Sequence, residues 1–233
     1  MADSEPRRSR HVLVVADGDV APRDELDAAW LGWADGIDAV VAADGGYARA
    51  VALGLAPDTL VGDFDSLSPG VPEAAARAGT RVLRYPADKD ESDAELALLE
   101  AVTLGAARVT VLGAFGGPRL DHALANVWLL SHPRLASLDL VLLDAGARAR
   151  LLTAPGPDGE PVTRPLPGRV GAVVSLLPFA GDADGITTQG LRYPLRDEPL
   201  RSGPARGLSN VRMGEDAAVT LRAGRLLVVE RPA

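Results

Sequence analysis

The sequence predicts an α/β protein, with an N-terminal, mostly parallel sheet carrying helices on both faces, followed by a C-terminal antiparallel β-sandwich. Three observations carry this. From His11 onward, apolar strand-like runs alternate with helical segments, the pattern of strand-helix-strand units whose strands lie parallel. Between Pro155 and Gly168, eight of fourteen residues are proline or glycine, which marks a linker. Beyond it the pattern changes to short strands separated by turns, with no convincing helix. The expected domains are 11–154 and 169–233, joined by 155–168.

His11 to Ala16 reads as a buried parallel strand ending in Asp17-Gly18. A helix follows from Pro22, in its first turn, to about Ala34, with Leu26, Trp30 and Trp33 on one face. Ile37 to Ala43 is a second strand, ending in Asp44-Gly45-Gly46, and Tyr47 to Leu53 is a helix closed by Gly54. Thr59 to Val61 is the third strand and delivers Gly62-Asp63-Phe64-Asp65-Ser66. Ser68-Pro69 opens a helix whose body is Glu73 to Ala78 and whose end is Gly79. The fourth strand, Arg81 to Tyr85, delivers a second acidic run, Asp88 to Asp93, and a helix spans Asp93 to Leu104. Ala107 to Phe115 is the fifth strand; after Gly116 to His122 a helix runs to about Leu130, and Leu138 to Leu143 is the sixth strand. The C-terminal strands are Val170 to Leu177, Gly185 to Leu195, Leu208 to Met213, Ala217 to Leu221 and Leu226 to Glu230, with Ala223-Gly224 as a hairpin turn. Trp30, Trp33 and Trp128 read as core or interface residues.

Composition narrows the chemistry. A formal net charge of −8 argues against a binder of nucleic-acid backbones. The chain has no cysteine, which excludes disulfides, thiolate metal sites and cysteine nucleophiles and agrees with the cytoplasm. Met1 to Arg10 is polar and arginine-rich, reads as a frayed tail, and leads into no apolar stretch long enough for a signal peptide or membrane span. Of 24 basic residues only Lys89 is lysine, and no G-x-x-x-x-G run precedes it, so there is no Walker A loop; no G-x-G-x-x-G occurs either.

Two acidic runs stand directly after strands, where α/β proteins place their chemistry. Asp63 and Asp65, at i and i+2, repel one another without a counter-ion, and Asp88, Asp90 and Asp93 face the same cation from the next helix start. The ligands are all oxygen, which suits Mg2+ and, with it, substrate phosphates. The bland alternative is that these aspartates cap helices. Ser92 and Glu95 fit a capping box, which is a sufficient role for Ser92. Gly116 and Gly117 near a helix start, with Arg119, make an anion cradle, although a plain tight turn also fits; His122 reads as packing or capping rather than a base. Asp44-Gly45-Gly46 suits a tight turn or close approach of a ligand to the backbone.

Taken together, Ala43 to Gly46, Gly62 to Ser66, Asp90 to Glu95, Gly113 to His122, Gly190-Leu191-Arg192-Tyr193-Pro194-Leu195 and Ser209-Asn210 resemble the thiamine pyrophosphokinase family, in order and over almost the whole chain. The resemblance implies an α/β ATP-binding catalytic domain and a β-sandwich thiamine-binding domain in a homodimer, with thiamine at the subunit interface. The implied reaction moves the β,γ-pyrophosphoryl group of ATP to the thiamine hydroxyl, leaving AMP. On that view Asp63, Asp65 and Asp93 hold Mg2+, Arg119 clamps phosphates, and Asp93 or Asp121 orients the attacking hydroxyl. Asp44, Gly45, Gly46, Asp90, Ser92, Gly116 and Gly117 belong to the ATP side. Tyr193 stacks on a thiamine ring, with Thr187, Thr188 and Ser209 or Asn210 supplying hydrogen bonds. Family members often have threonine where Ser92 stands and some have tryptophan at Tyr193, and the loop 155–168 is longer than usual. Two alternatives stay open: a pyrophosphokinase for another hydroxymethyl heterocycle, of pterin type, and a non-catalytic thiamine- or nucleotide-binding regulator.

Overall fold

Every residue of β1 (His11–Val15) is buried, as expected of a central strand covered on both faces. The computed structural model describes residues 10–156 and 158–233, so the expected frayed tail lies, apart from Arg10, outside the described residues. In the first unit, up to Asp144, β1 is joined by β2 (Ile37–Ala43), β3 (Thr59–Gly62), β4 (Arg81–Arg84), β5 (Arg108–Leu112) and β6 (Asp139–Asp144). Their order is β6-β5-β1-β2-β3-β4, and each neighbouring pair is parallel.

The connecting helices are α1 (Arg23–Ala29), α2 (Gly46–Ala52), α3 (Val71–Arg77), α4 (Asp93–Thr103) and α5 (Leu120–Leu129). The chain steps outward from β1 through β4 and then returns past β1 to β5. With right-handed crossovers, α1, α2 and α3 cover one face and α4 and α5 the other. α4 lies across β1, β2 and β3, and its residues Leu96 to Ala101 are buried.

α1 is shorter than expected. It stops at Ala29, and the chain turns through Gly32 at φ 71°. Trp30 and Trp33 are buried all the same, with their indole N–H groups donating to the Asp144 carbonyl (2.7 Å) and to Asp27 Oδ1 (2.8 Å). Trp128 is 62% exposed, contrary to a place in the core of this chain. No helix among the described residues is long and apolar enough to cross a membrane.

The first unit ends at Asp144, ten residues before the expected end at 154, and the second begins at Ala145. It opens with β7 (Ala147–Ala154), a strand that the pattern reading did not anticipate. The segment 155–168 is no linker between domains but a loop inside this unit, and it carries β8 (Val162–Pro165). The remaining strands are β9 (Val173–Pro178), β10 (Ala183–Gln189), β11 (Glu198–Leu200), β12 (Asn210–Val211), β13 (Ala218–Leu221) and β14 (Gly224–Arg231).

They form two antiparallel layers, β12-β9-β14-β7 and β11-β10-β13-β8. Leu152, Val174, Leu176, Leu226 and Val228 from one layer pack with Ile186, Val219 and Leu221 from the other, which is the core of a sandwich. The expected strand over Gly185 to Leu195 ends at Gln189, because Gly190 turns the chain at φ 66°.

Candidate active site

The strand order reverses between β1 and β5, and open α/β sheets receive ligands outside the carboxyl ends of their strands at such a point. There the Gly18 amide donates to the Gly113 carbonyl (3.0 Å). A pocket of about 500 Å³ opens over these ends, lined by Asp17, Asp44, Asp63, Lys89, Asp93, Arg119 and Asn126 among others. Its size suits a small-molecule ligand.

Three carboxylates converge in it. Oxygens of Asp44, Asp63 and Asp93 lie within 4.8 Å of one another, brought from the ends of β2 and β3 and from the first turn of α4. Asp44 is buried in a left-handed conformation (φ 47°); its Oδ2 accepts a hydrogen bond from Ser66 Oγ, and its buried Oδ1 has no hydrogen-bond partner among the described residues. Burial pushes the Asp44 carboxyl above the ordinary aspartate value, and nearby Asp93, Asp65 and Asp63 push it further. Asp93 is raised too, by burial first, although Lys89 opposes it. Asp63 is lowered, first by the hydrogen bond from the Asp65 amide to its Oδ1 (3.1 Å), then by Lys89. An all-carboxylate set in which Asp44 Oδ1 and Asp93 Oδ1 are buried with no hydrogen-bond partner among the described residues fits a hard divalent cation such as Mg2+.

The Asp65 carboxylate, expected as a ligand, is not part of this cluster. Phe64 has φ 70° and packs into the core formed by Ala42, Leu60 and Ala75, while Asp65 is exposed at the pocket wall. Arg84 fixes that bend, stacking over the Phe64 ring at 4.6 Å and donating to the Asp63 carbonyl at 3.2 Å. Asp90 is exposed and outside the pocket lining. Ser92 lines the pocket and caps α4, accepting from the Glu95 amide (3.2 Å); the Glu95 carboxylate turns to His132 at 3.3 Å.

Two of the glycines are required by the backbone itself. A Cβ on Gly46 would stand 2.0 Å from the Val15 carbonyl oxygen, and one on Gly45 2.1 Å from Asp17 Oδ1, so these residues let α2 begin directly against β1. Gly116 and Gly117 line the pocket, but the Gly117 amide already donates to Asp19 Oδ2 (2.8 Å). Arg119 is paired with Asp121 through Nε (2.9 Å) and Nη2 (2.7 Å), both side chains being exposed. That guanidinium holds the Asp121 carboxyl well below the usual carboxylate range.

In the sandwich, the side chains of Asn210, Thr188 and Thr187 hold a loop. Asn210 accepts from the Tyr193 amide (3.0 Å) and donates to the Tyr193 carbonyl (2.7 Å). Thr188 Oγ1 accepts from the Leu195 amide (2.9 Å) and Thr187 Oγ1 from the Asp197 amide (3.1 Å). Ser209 is exposed at φ 58°. Tyr193 is presented at the surface, 63% exposed.

Motif reading left Asp17, Asp19 and Asn126 without a role and Asp44 outside the acidic set. Their one sequence signal is that β1 and β2 each end on an Asp-Gly pair.

Two family models match the chain: thiamin pyrophosphokinase, catalytic domain, over residues 33–142, and thiamin pyrophosphokinase, vitamin B1 binding domain, over residues 164–226. A thiamine pyrophosphokinase of Bacillus subtilis is 25% identical over 81% of this chain and 85% of its own. A thiamine pyrophosphokinase 1 of rice is 27% identical over 70% of this chain and 62% of its own. Among solved structures, the B. subtilis thiamine pyrophosphokinase superposes with a TM-score of 0.80 at 23% identity, over 96% of this chain and 99% of its own. A thiamin pyrophosphokinase family protein from Enterococcus faecalis gives 0.74 at 28% identity, over 97% and 100%.

Proposed function

Since the chain belongs to the thiamin pyrophosphokinase family, we infer that it converts thiamine and ATP to thiamine diphosphate and AMP in the pocket at the β1/β5 switch point. The convergence of Asp44, Asp63 and Asp93 carries this reading. The thiamine hydroxyl oxygen bonds to the β-phosphorus, the bond from that phosphorus to the α,β-bridging oxygen breaks, and AMP leaves with that oxygen. Such transfers depend on positioning and on neutralising charge.

In this assignment Asp44, Asp63 and Asp93 hold Mg2+, which when bound supplies positive charge to the phosphate oxygens. Asp65 stands at the pocket wall and serves through its amide, which fixes Asp63. Arg119 reaches phosphate oxygens by sharing or leaving Asp121. Asp121 holds Arg119 through its two hydrogen bonds and so orients the guanidinium. Thr187, Thr188 and Asn210 act by holding the loop that presents Tyr193, whose ring stacks on thiamine. The cysteine-free chain suits a reducing compartment, and we assign it to the cytoplasm.

We also assign a homodimer with thiamine at its interface. Leu120, Leu124 and Trp128, at helical spacing on α5, are 71%, 60% and 62% exposed, an apolar stripe that association of two copies covers. Sedimentation velocity is expected to give twice the 24.2 kDa chain mass, and Leu124→Asp to lower it toward one.

The reaction is tested by incubating the protein with ATP and Mg2+, with and without thiamine, and following AMP and thiamine diphosphate by mass. Thiamine-dependent AMP with that product is the expected result. ATP consumption indifferent to thiamine would contradict it.

A further inference from the structure

We propose that Lys89 is a resident counter-ion of the acidic trio, displaced from Asp63 and Asp93 by the divalent cation and then facing the phosphates of the nucleotide, a role that rests on the trio being a cation seat. Lys89 Nζ lies 3.4 Å from Asp63 Oδ2 and 3.2 Å from Asp93 Oδ1. The other Asp63 oxygen is already engaged by the Asp65 amide, so Asp63 can offer a cation an unshared oxygen only if Lys89 lets go of Oδ2. The contact with Asp93 Oδ1 is likewise an ion pair, so a cation that takes these two oxygens releases both holds on Lys89.

Residue type supports the exchange. Lys89 is the single lysine among 24 basic residues, and its side chain is only 10% exposed where lysines are ordinarily solvated. A guanidinium would grip a carboxylate in a planar two-point fork; an ammonium is a point charge on a flexible stem that changes partners readily. Three carboxylates this close repel one another, and Lys89 relieves that repulsion. A divalent ion drawn to the same oxygens does so more strongly and repels the ammonium. Lys89 lines the pocket with Arg119, so its release puts a positive charge where a phosphate chain lies.

The test measures Mn2+ affinity by electron paramagnetic resonance on the full chain, without nucleotide, in the wild type, Lys89→Gln and Lys89→Arg. Loss of one competing, partly buried charge is expected to tighten Mn2+ binding about five- to tenfold in Lys89→Gln. Lys89→Arg should bind no more tightly than the wild type. The glutamine variant should nevertheless have a lower kcat, an opposite movement that a purely structural lysine does not produce. Equal or weaker Mn2+ binding in Lys89→Gln overturns the counter-ion role and leaves the metal seat standing; no Mn2+ binding in any of the three overturns both.

A second reading uses the unaltered protein. Lysine-selective 15N labelling gives one side-chain ammonium resonance, which is expected to shift as Mg2+ is added to the wild type and to stay still in Asp93→Asn. A resonance unmoved by saturating Mg2+ in the wild type contradicts the displacement.

Discussion

Asp93→Asn is expected to lower turnover about a hundred- to a thousandfold or more while raising the melting temperature. Asparagine has nearly the same shape but no charge, so the first effect reports the lost cation ligand. The second follows from burial. Burial is the largest influence on Asp93 and holds its carboxyl above the ordinary value, even against Lys89, so the folded protein keeps this charge at a net cost. Removing it should stabilise the fold by on the order of 1 kcal/mol, the usual trade between a strained site and stability. The pH dependence has a definite sign. A carboxyl raised in the folded state penalises folding above its folded pKa, and the penalty fades as pH falls through that value toward the unfolded 3.8. The advantage of the variant should therefore be full at neutral pH and vanish in acid. Thermal melts at several pH values check this; a variant that melts lower than the wild type at pH 7 would contradict it.

Glu230→Gln is expected to destabilise the second unit by about 3–5 kcal/mol, the typical loss when a buried ion pair is broken from one side. Glu230 is 2% exposed on β14 and serves two arginines at once. Arg148 donates to it from Nε and Nη2, each at 2.9 Å, and Arg212 donates from Nη2 at 2.9 Å. Arg212 is 1% exposed, its Nε and Nη1 have no hydrogen-bond partner among the described residues, and burial lowers its pKa while Glu230 supports its charge. Without the carboxylate, a buried guanidinium keeps its charge and loses its main counter-charge. The exposed pair Arg222–Asp197, at 59% and 70% exposure, is the control, with an expected loss under about 1 kcal/mol for Asp197→Asn. Urea unfolding followed by a probe in the sandwich measures both.

These two sites also show what was legible in the sequence. The α/β alternation was readable because each strand is apolar and each following turn polar, and Asp63 and Asp93 stood out for that reason. Asp44 did not, because its convergence with them depends on β2 and β3 being neighbours. Asp65 lies outside the close trio although it lines the same pocket, because spacing at i and i+2 does not reveal the left-handed Phe64 between the two aspartates. β7 does not show in the sequence because Arg148 and Arg150 interrupt its apolar pattern, and Glu230, 82 residues away, is the carboxylate that lets Arg148 be partly buried. That Asn210 and Thr188 hold the backbone of Tyr193 and Leu195 is not visible in the sequence, because it depends on a loop folding back onto β10 and β12.

The central claim is that three carboxylates from three elements make one cation seat. Mn2+ binding to the wild type and to Asp93→Asn, measured by electron paramagnetic resonance without substrates, tests it most directly. Saturable binding in the wild type that is lost in the variant is the predicted result, whereas a variant binding Mn2+ as tightly as the wild type would place the cation elsewhere.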